Sequence, residues 1–189
     1  MKYASRAGEK LEWALTNFGI SASGLVCADF GTNTGGFVDC LLLHGAEKIY
    51  AVETGYGVLD WKLRNDPRVV PMERTNAMRV VLPEKVDLLT IDVSWTRLEK
   101  ILPNALQNLK PEGKIIALLK PHYEAEPKHL RKGKLLEEFI PEVLIGVKDQ
   151  IENLGLLILD KTESPIIGEK AGNKEFLLLL KRQSAEGGT

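Results

Sequence analysis

Lys10, Asp92, Lys120 and Glu175 lie in four short motifs, SRAGEKL, LTIDVSW, LLKPHYE and GNKEFLL. Three of them border strongly apolar runs. A charge seldom sits there unless it is paired or chemically employed. Two lysines and two carboxylates that converge could take a proton from a hydroxyl. A second group with chemical potential is the run from Asp29 through Phe30, Gly31, Thr32, Asn33, Thr34 and Gly35 to Gly36, continued by Phe37. It follows the apolar run LVCADF and opens FVDCLLLHG, the strand–loop–helix setting of a nucleotide-binding loop. Gly31 permits a tight turn, and Asn33 tolerates left-handed backbone. Gly35 and Gly36 would let a ligand approach the chain.

Glu53, at the end of KIYAV and followed by Thr54, can accept hydrogen bonds from ribose hydroxyls. The loop spacing D-x-G-x-x-x-G lacks the close glycine pair of the dinucleotide fingerprint. An acid just before the first glycine suits a ligand with a cationic amino group better than a pyrophosphate. These features point to S-adenosylmethionine, with Asn76 as a further candidate contact after the third strand.

The elements that must position these residues follow from periodicity. Leu11, Ala14, Leu15 and Phe18 fall on one helical face, with Ser5 as a candidate cap and Gly19 as the stop. Strands are expected at LVCADF, KIYAV, RVVPM, VDLLTID and KIIALLK, the last stopped by Pro121. Helices are expected over FVDCLLLHG, Leu98–Leu109 and Leu135–Asn153, the last entered near Pro141, with a turn at KPEG. LGLLILDKT and EFLLLLK are joined without a helix and should pair antiparallel. Strands alternating with helices define an α/β fold, a mainly parallel sheet with helices on both faces. One domain over residues 1–182 is expected. Residues 1–19 hold the helix carrying Lys10, and 183–189 form a disordered tail.

Composition narrows the function. The 189 residues carry a net charge of −1 and are 44% hydrophobic. Any nucleic-acid site is therefore a local patch on a chain with a full core. Lys128, Arg131, Lys132 and Lys134, with His129, form a basic cluster after the KIIALLK strand, a candidate phosphate-contact loop. Tyr56 and Trp61 could stack on a base, or Trp61 could pack in the core. Cys27 and Cys40 sit in apolar surroundings, as buried thiols do. The three histidines show no metal-ligand spacing, and no metal is expected. No apolar run is long enough to span a membrane and the N-terminus lacks a signal-peptide core, so a cytoplasmic location is expected.

The segments YASRAGEKLEWAL, DFGTNTGGFVDCLL, YAVETGYGVLDWKLRNDPRV, ERTNA, IDVSW, LLKPHYEA and GNKEFLLLL resemble the TlyA (hemolysin A-like) branch of the FtsJ-like ribosomal RNA methyltransferases. The resemblance implies a class I, Rossmann-like methyltransferase fold. It implies methyl transfer from S-adenosylmethionine to a ribose 2′-OH of ribosomal RNA or a ribosomal subunit. It also makes Lys10, Asp92, Lys120 and Glu175 a catalytic set, with Asp92 bordering the cofactor and Arg6 beside the RNA. Lys120 would act as a neutral base or as an ammonium that orients the hydroxyl. Members of that branch carry an S4-type RNA-binding domain ahead of the SRxG motif, and this chain starts almost at that motif. Asn33, Trp95, Thr96, His122 and Tyr123 depart from the branch's pattern. A catalytically idle RNA-binding module, a hemolysin-like protein and a small-molecule methyltransferase are the competing readings.

Overall fold

The structure, a computed structural model, describes residues 2–168 and 171–183. Of the tail expected to be disordered, residues 184–189 lie outside the described residues. The elements run α1 (Ala7–Asn17), β1 (Val26–Phe30), α2 (Gly36–Leu43), β2 (Lys48–Val52), α3 (Trp61–Arg64), β3 (Val69–Met72), β4 (Val86–Ile91) and α4 (Leu98–Asn108). They continue as β5 (Leu109–Leu119), α5 (Pro121–Glu124), β6 (Leu130–Arg131), β7 (Lys134–Leu135), α6 (Ile140–Asn153), β8 (Leu156–Glu163) and β9 (Phe176–Arg182). A seven-stranded sheet has the order β3-β2-β1-β4-β5-β9-β8. All neighbours pair parallel except β9, which runs antiparallel to both β5 and β8. The mainly parallel α/β sheet with an antiparallel final strand is as the sequence predicts.

Each face of the sheet buries its own apolar cluster. One holds α1 and α2 through Leu11, Ala14, Leu15, Phe37 and Leu41 over Cys27, Ile49, Leu88, Ile116 and Leu177. The other holds α4 and α6 through Ile101, Leu102, Ala105, Val147 and Ile151 over Phe30, Leu89, Ile115 and Leu178. Both cysteines are fully buried, and burial pushes their thiols up to about 12.

Local chemistry explains where the elements depart from expectation. Ser5 does not cap α1. The N-cap is Arg6, with no side-chain cap, and the Ser5 hydroxyl lies against α2 at Gly36. KPEG is not a free turn but the bulged start of β5, where the register shifts between Val86 and Leu88. Gly113 is required there, since a Cβ would sit 2.7 Å from Leu109 and 3.1 Å from the Asp87 carbonyl. Leu135 closes β7 and Glu137–Phe139 form a short 3₁₀ turn; α6 starts at Ile140, close to the expected entry, with Pro141 in the first turn where a missing N–H costs nothing. The short helices α3 and α5 and the β6–β7 hairpin fall in stretches expected as loops.

Candidate active site

Strand alternation brings three of the four charged residues to one face. In β4, Leu89 and Ile91 point to the α4/α6 side, while in β5 Ile115, Ala117 and Leu119 do the same. With a period of two, Asp92 and Lys120, the residues just beyond these strands, fall on the α1 side. Phe176 opens β9 on the α4/α6 side and pairs with Leu119, so Glu175 joins them from the antiparallel strand. Lys10 arrives from the buried face of α1, next to Leu11 and Ala14.

The four residues form two ion pairs on the wall of one cavity of about 640 Å³. Lys120 Nζ donates to Asp92 Oδ1 at 2.6 Å and to the Val93 carbonyl at 3.2 Å. Lys10 Nζ donates to Glu175 Oε2 at 2.5 Å, with side chains only 11% and 5% exposed. An ammonium has three N–H donors, so Lys120 keeps one for a group in the cavity.

Asp29, Gly31, Asn33, Thr34 and Phe37 line the same cavity, as does Asp92. Gly31 has φ 87° and Asn33 φ 49°, the left-handed geometry their types allow. A Cβ on Gly31 would meet the Asp92 carbonyl at 2.5 Å, so this glycine lets the β1 and β4 ends close together. Asp29 is 1% exposed and accepts from the Thr90 hydroxyl at 2.7 Å. Burial first, and then the nearby Asp92 charge, push its carboxyl up to about 7 against the Thr90 bond.

Gly35, Gly36, Glu53, Thr54 and Asn76 do not line the cavity. The space in front of Gly35 is filled by Leu59 and Leu63, and that in front of Gly36 by Ser5 and the Gly8 backbone. These two glycines serve close packing, of α1 on α2 in the second case. Glu53 ties two loops together. It accepts from the N–H of Asn33 at 2.8 Å, the N–H of Gly55 at 2.8 Å and the Thr54 hydroxyl at 3.1 Å. Burial raises its carboxyl, but these bonds outweigh it and hold the group below the usual range. Asn76 is exposed, with Oδ1 accepting from the N–H of Met78.

Of the basic candidates, Arg6 and Lys132 line the cavity. Lys128 lies outside it, paired with Glu126 at 2.9 Å, and Arg131 and Lys134 flank the β6–β7 turn. Trp61 is 74% exposed, so it is not a core residue, and Tyr56 lies 4.5 Å from the Arg74 guanidinium, away from the cavity.

Trp95, His122 and Tyr123, noted in the sequence only as departures from the branch's pattern, line the cavity, and so do Ser94 and Asn173, which no sequence signal singled out. Trp95 is 78% exposed with φ 60°, a strained conformation for a bulky side chain. Its ring lies 5.2 Å from Tyr123, which in turn lies 4.1 Å from His122. Burial and the Lys120 charge hold His122 below the usual imidazole range. The signal for Trp95 was a large aromatic three residues after a strand-end aspartate; its backbone strain had none.

A glycine-bearing loop after β1, charged groups at the carboxyl edge and an antiparallel last strand define a Rossmann-like methyltransferase. Solved structures named as methyltransferases or a methylase, of only 14–17% identity, superpose with TM-scores of 0.61–0.66, a likeness of fold alone. Residues 3–182 match the family model of the FtsJ-like methyltransferases, and the chain belongs to that family. It is 41% identical to hemolysin A of Brachyspira hyodysenteriae, over 94% of this chain and 76% of that protein. It is 36% identical to the 16S/23S rRNA (cytidine-2′-O)-methyltransferase TlyA of Mycobacterium tuberculosis, over 96% of this chain and 69% of that protein. A solved structure from Lactococcus lactis, provisionally labelled a hemolysin, superposes with TM-score 0.90 at 37% identity, covering 95% of this chain and 88% of that one.

Proposed function

We propose that this enzyme transfers the methyl group of S-adenosylmethionine to a ribose 2′-OH of ribosomal RNA. The observation that carries the reading is the pair of lysine–carboxylate bridges on the wall of one cavity, beside the loop after β1. The donor set fits the cofactor. A buried carboxylate at Asp29 suits a cationic amino group, and Gly31, Asn33, Thr34 and Phe37 form the adjoining wall. Glu53, which holds the Asn33 N–H just outside the cavity wall, is the candidate for the cofactor's ribose, with Thr54 and Asn76 as further candidate contacts. When bound, the cofactor supplies an electrophilic methyl group.

A ribose hydroxyl attacks only if its proton is shared and its oxygen is held in line. Lys120, fixed by Asp92 and the Val93 carbonyl, would hold that oxygen with its remaining N–H and stabilise charge that develops on it. The hydroxyl proton would pass to the adjoining Asp92 carboxylate as the methyl group leaves the cofactor's sulfur. Glu175, beside Asp92 and Lys120 on the same sheet edge, holds Lys10's charge in place on the cavity wall. The Trp95–Tyr123 pair at the rim offers a stacking face for a base turned out of its helix. Arg6 and Lys132 line the cavity where flanking phosphates would lie, with Lys128, Arg131 and Lys134 behind them.

Relatives named as rRNA cytidine-2′-O-methyltransferases support this substrate, and a ribosomal substrate fits a cytoplasmic location. The small-molecule reading leaves the basic rim without a purpose. Among the described residues no helix is long and apolar enough to cross a membrane. Lys120→Ala tests the reading. Methyl transfer to ribosomal subunits should fall at least about a thousandfold while cofactor affinity stays near wild type. Full activity in that variant would remove Lys120 from the mechanism.

A further inference from the structure

The β6–β7 hairpin is built as a fixed wall of the cavity, not as a free loop. Arg131 pairs with Lys134, leaving Lys132 and Gly133 as a two-residue turn. Both central residues have positive φ, 51° at Lys132 and 78° at Gly133, as a type I′ turn requires. Asn, Asp or Gly is at ease in the first of these positions; lysine is strained there. A residue kept against its own backbone preference invites a functional reason, and Lys132 is the hairpin residue whose charge lines the cavity.

The hairpin is anchored from two sides. At its base the His129 and Phe139 rings stack, 3.9 Å apart and nearly parallel. At its flank stands Asn173, itself only 5% exposed. The Asn173 amide donates to the Gly133 carbonyl at 2.9 Å and accepts from the Leu135 N–H at 2.9 Å. Its own carbonyl accepts from the N–H of Gly168 at 2.9 Å. Two residues on is Glu175, the partner of Lys10. One buried amide thus joins the hairpin to the segment that carries a charged residue of the active site.

Resting on the RNA reading above, we infer that Lys132 binds an RNA phosphate next to the reacting ribose, and that Asn173 is the positioning residue that presets the hairpin for it. Lys132 stays the contact because Asn173 and the His129–Phe139 stack leave its backbone no freedom to withdraw.

The test uses Lys132→Asn, which suits the turn and removes the charge, so the fold is retained. Its KM for ribosomal subunits should rise roughly tenfold with kcat near wild type. The slope of log KM against log salt should drop by about 0.7–0.9, one phosphate contact. Lys132→Arg should restore both. Asn173→Ala, which frees the hairpin and keeps the charge, should raise KM while leaving the slope and cofactor affinity in place. An unchanged KM and slope in Lys132→Asn, with an RNA-active wild type, would overturn this inference alone. A wild-type protein that methylates no RNA would overturn the parent reading and this one with it.

Discussion

Removing one member of the Lys10–Glu175 pair should cost far more stability than removing both. The two side chains are 11% and 5% exposed and 2.5 Å apart. Glu175 is hemmed in further by Gly168, where a Cβ would stand 2.9 Å from Oε1. Little water reaches the pair from the cavity it borders, so Lys10→Met leaves a largely buried carboxylate unpaired, at a cost of up to roughly 3–5 kcal/mol. In a domain of this size that lowers the melting temperature by about 2–4 °C per kcal/mol, or roughly 6–20 °C. Glu175→Gln strands the lysine in the same way. The double variant Lys10→Met/Glu175→Gln removes both charges and should cost less than either single variant, so the coupling should exceed the cost of one single, about 3 kcal/mol or more. Urea unfolding of the four proteins gives the cycle directly. All three variants should be poor methyltransferases, which separates folding from chemistry. Additive losses, or a Lys10→Met cost below about 1 kcal/mol, would refute the buried pair.

Asp29 gives the chain a pH signature. Its folded carboxyl is raised from 3.8 to about 7 by burial, so between those values the native state holds a proton that the unfolded chain has released. Stability should therefore fall as pH rises through this window and level off above it. Asp29→Asn should remove that slope from the urea midpoint measured between pH 5 and 8; superimposable profiles would contradict the assignment. Gly36→Ala should destabilise by about 1–3 kcal/mol despite alanine's better helix propensity. Its Cβ would stand 2.2 Å from the Ser5 hydroxyl, which can rotate, and 2.9 Å from the Gly8 nitrogen, which cannot. The displaced α1 should also lower methyl transfer through Lys10. A thermal melt at or above wild type would show that the α1–α2 contact yields without cost.

The sheet and its carboxyl-edge residues were legible because strand runs, their order and a period of two are local. Asp92 and Lys120 could be placed from pattern alone. Lys10 and Glu175 could not, because their meeting depends on α1 docking against α2 at Gly8 and Gly36 and on β9 turning antiparallel. Only resemblance to a known family paired them. Gly35 and Gly36 read as ligand-facing, yet side chains from other segments fill the space before them. The β6–β7 hairpin was hidden by its charges: LRKGKL carries a turn at Lys132-Gly133, but two-residue strands give too little alternation to read. Trp95's left-handed backbone and Asn173's bridge between two segments are tertiary facts with no local mark.

The central claim is 2′-O-methylation of ribosomal RNA, and its most direct test follows a labelled methyl group. Ribosomal subunits and naked rRNA would be incubated with methyl-labelled S-adenosylmethionine, then digested with alkali. A 2′-O-methyl group blocks cleavage at its own phosphodiester. The account predicts label in one alkali-resistant dinucleotide, absent with Lys120→Ala. Label released as single nucleotides would place the methyl on a base, and no label in any RNA would contradict the account altogether.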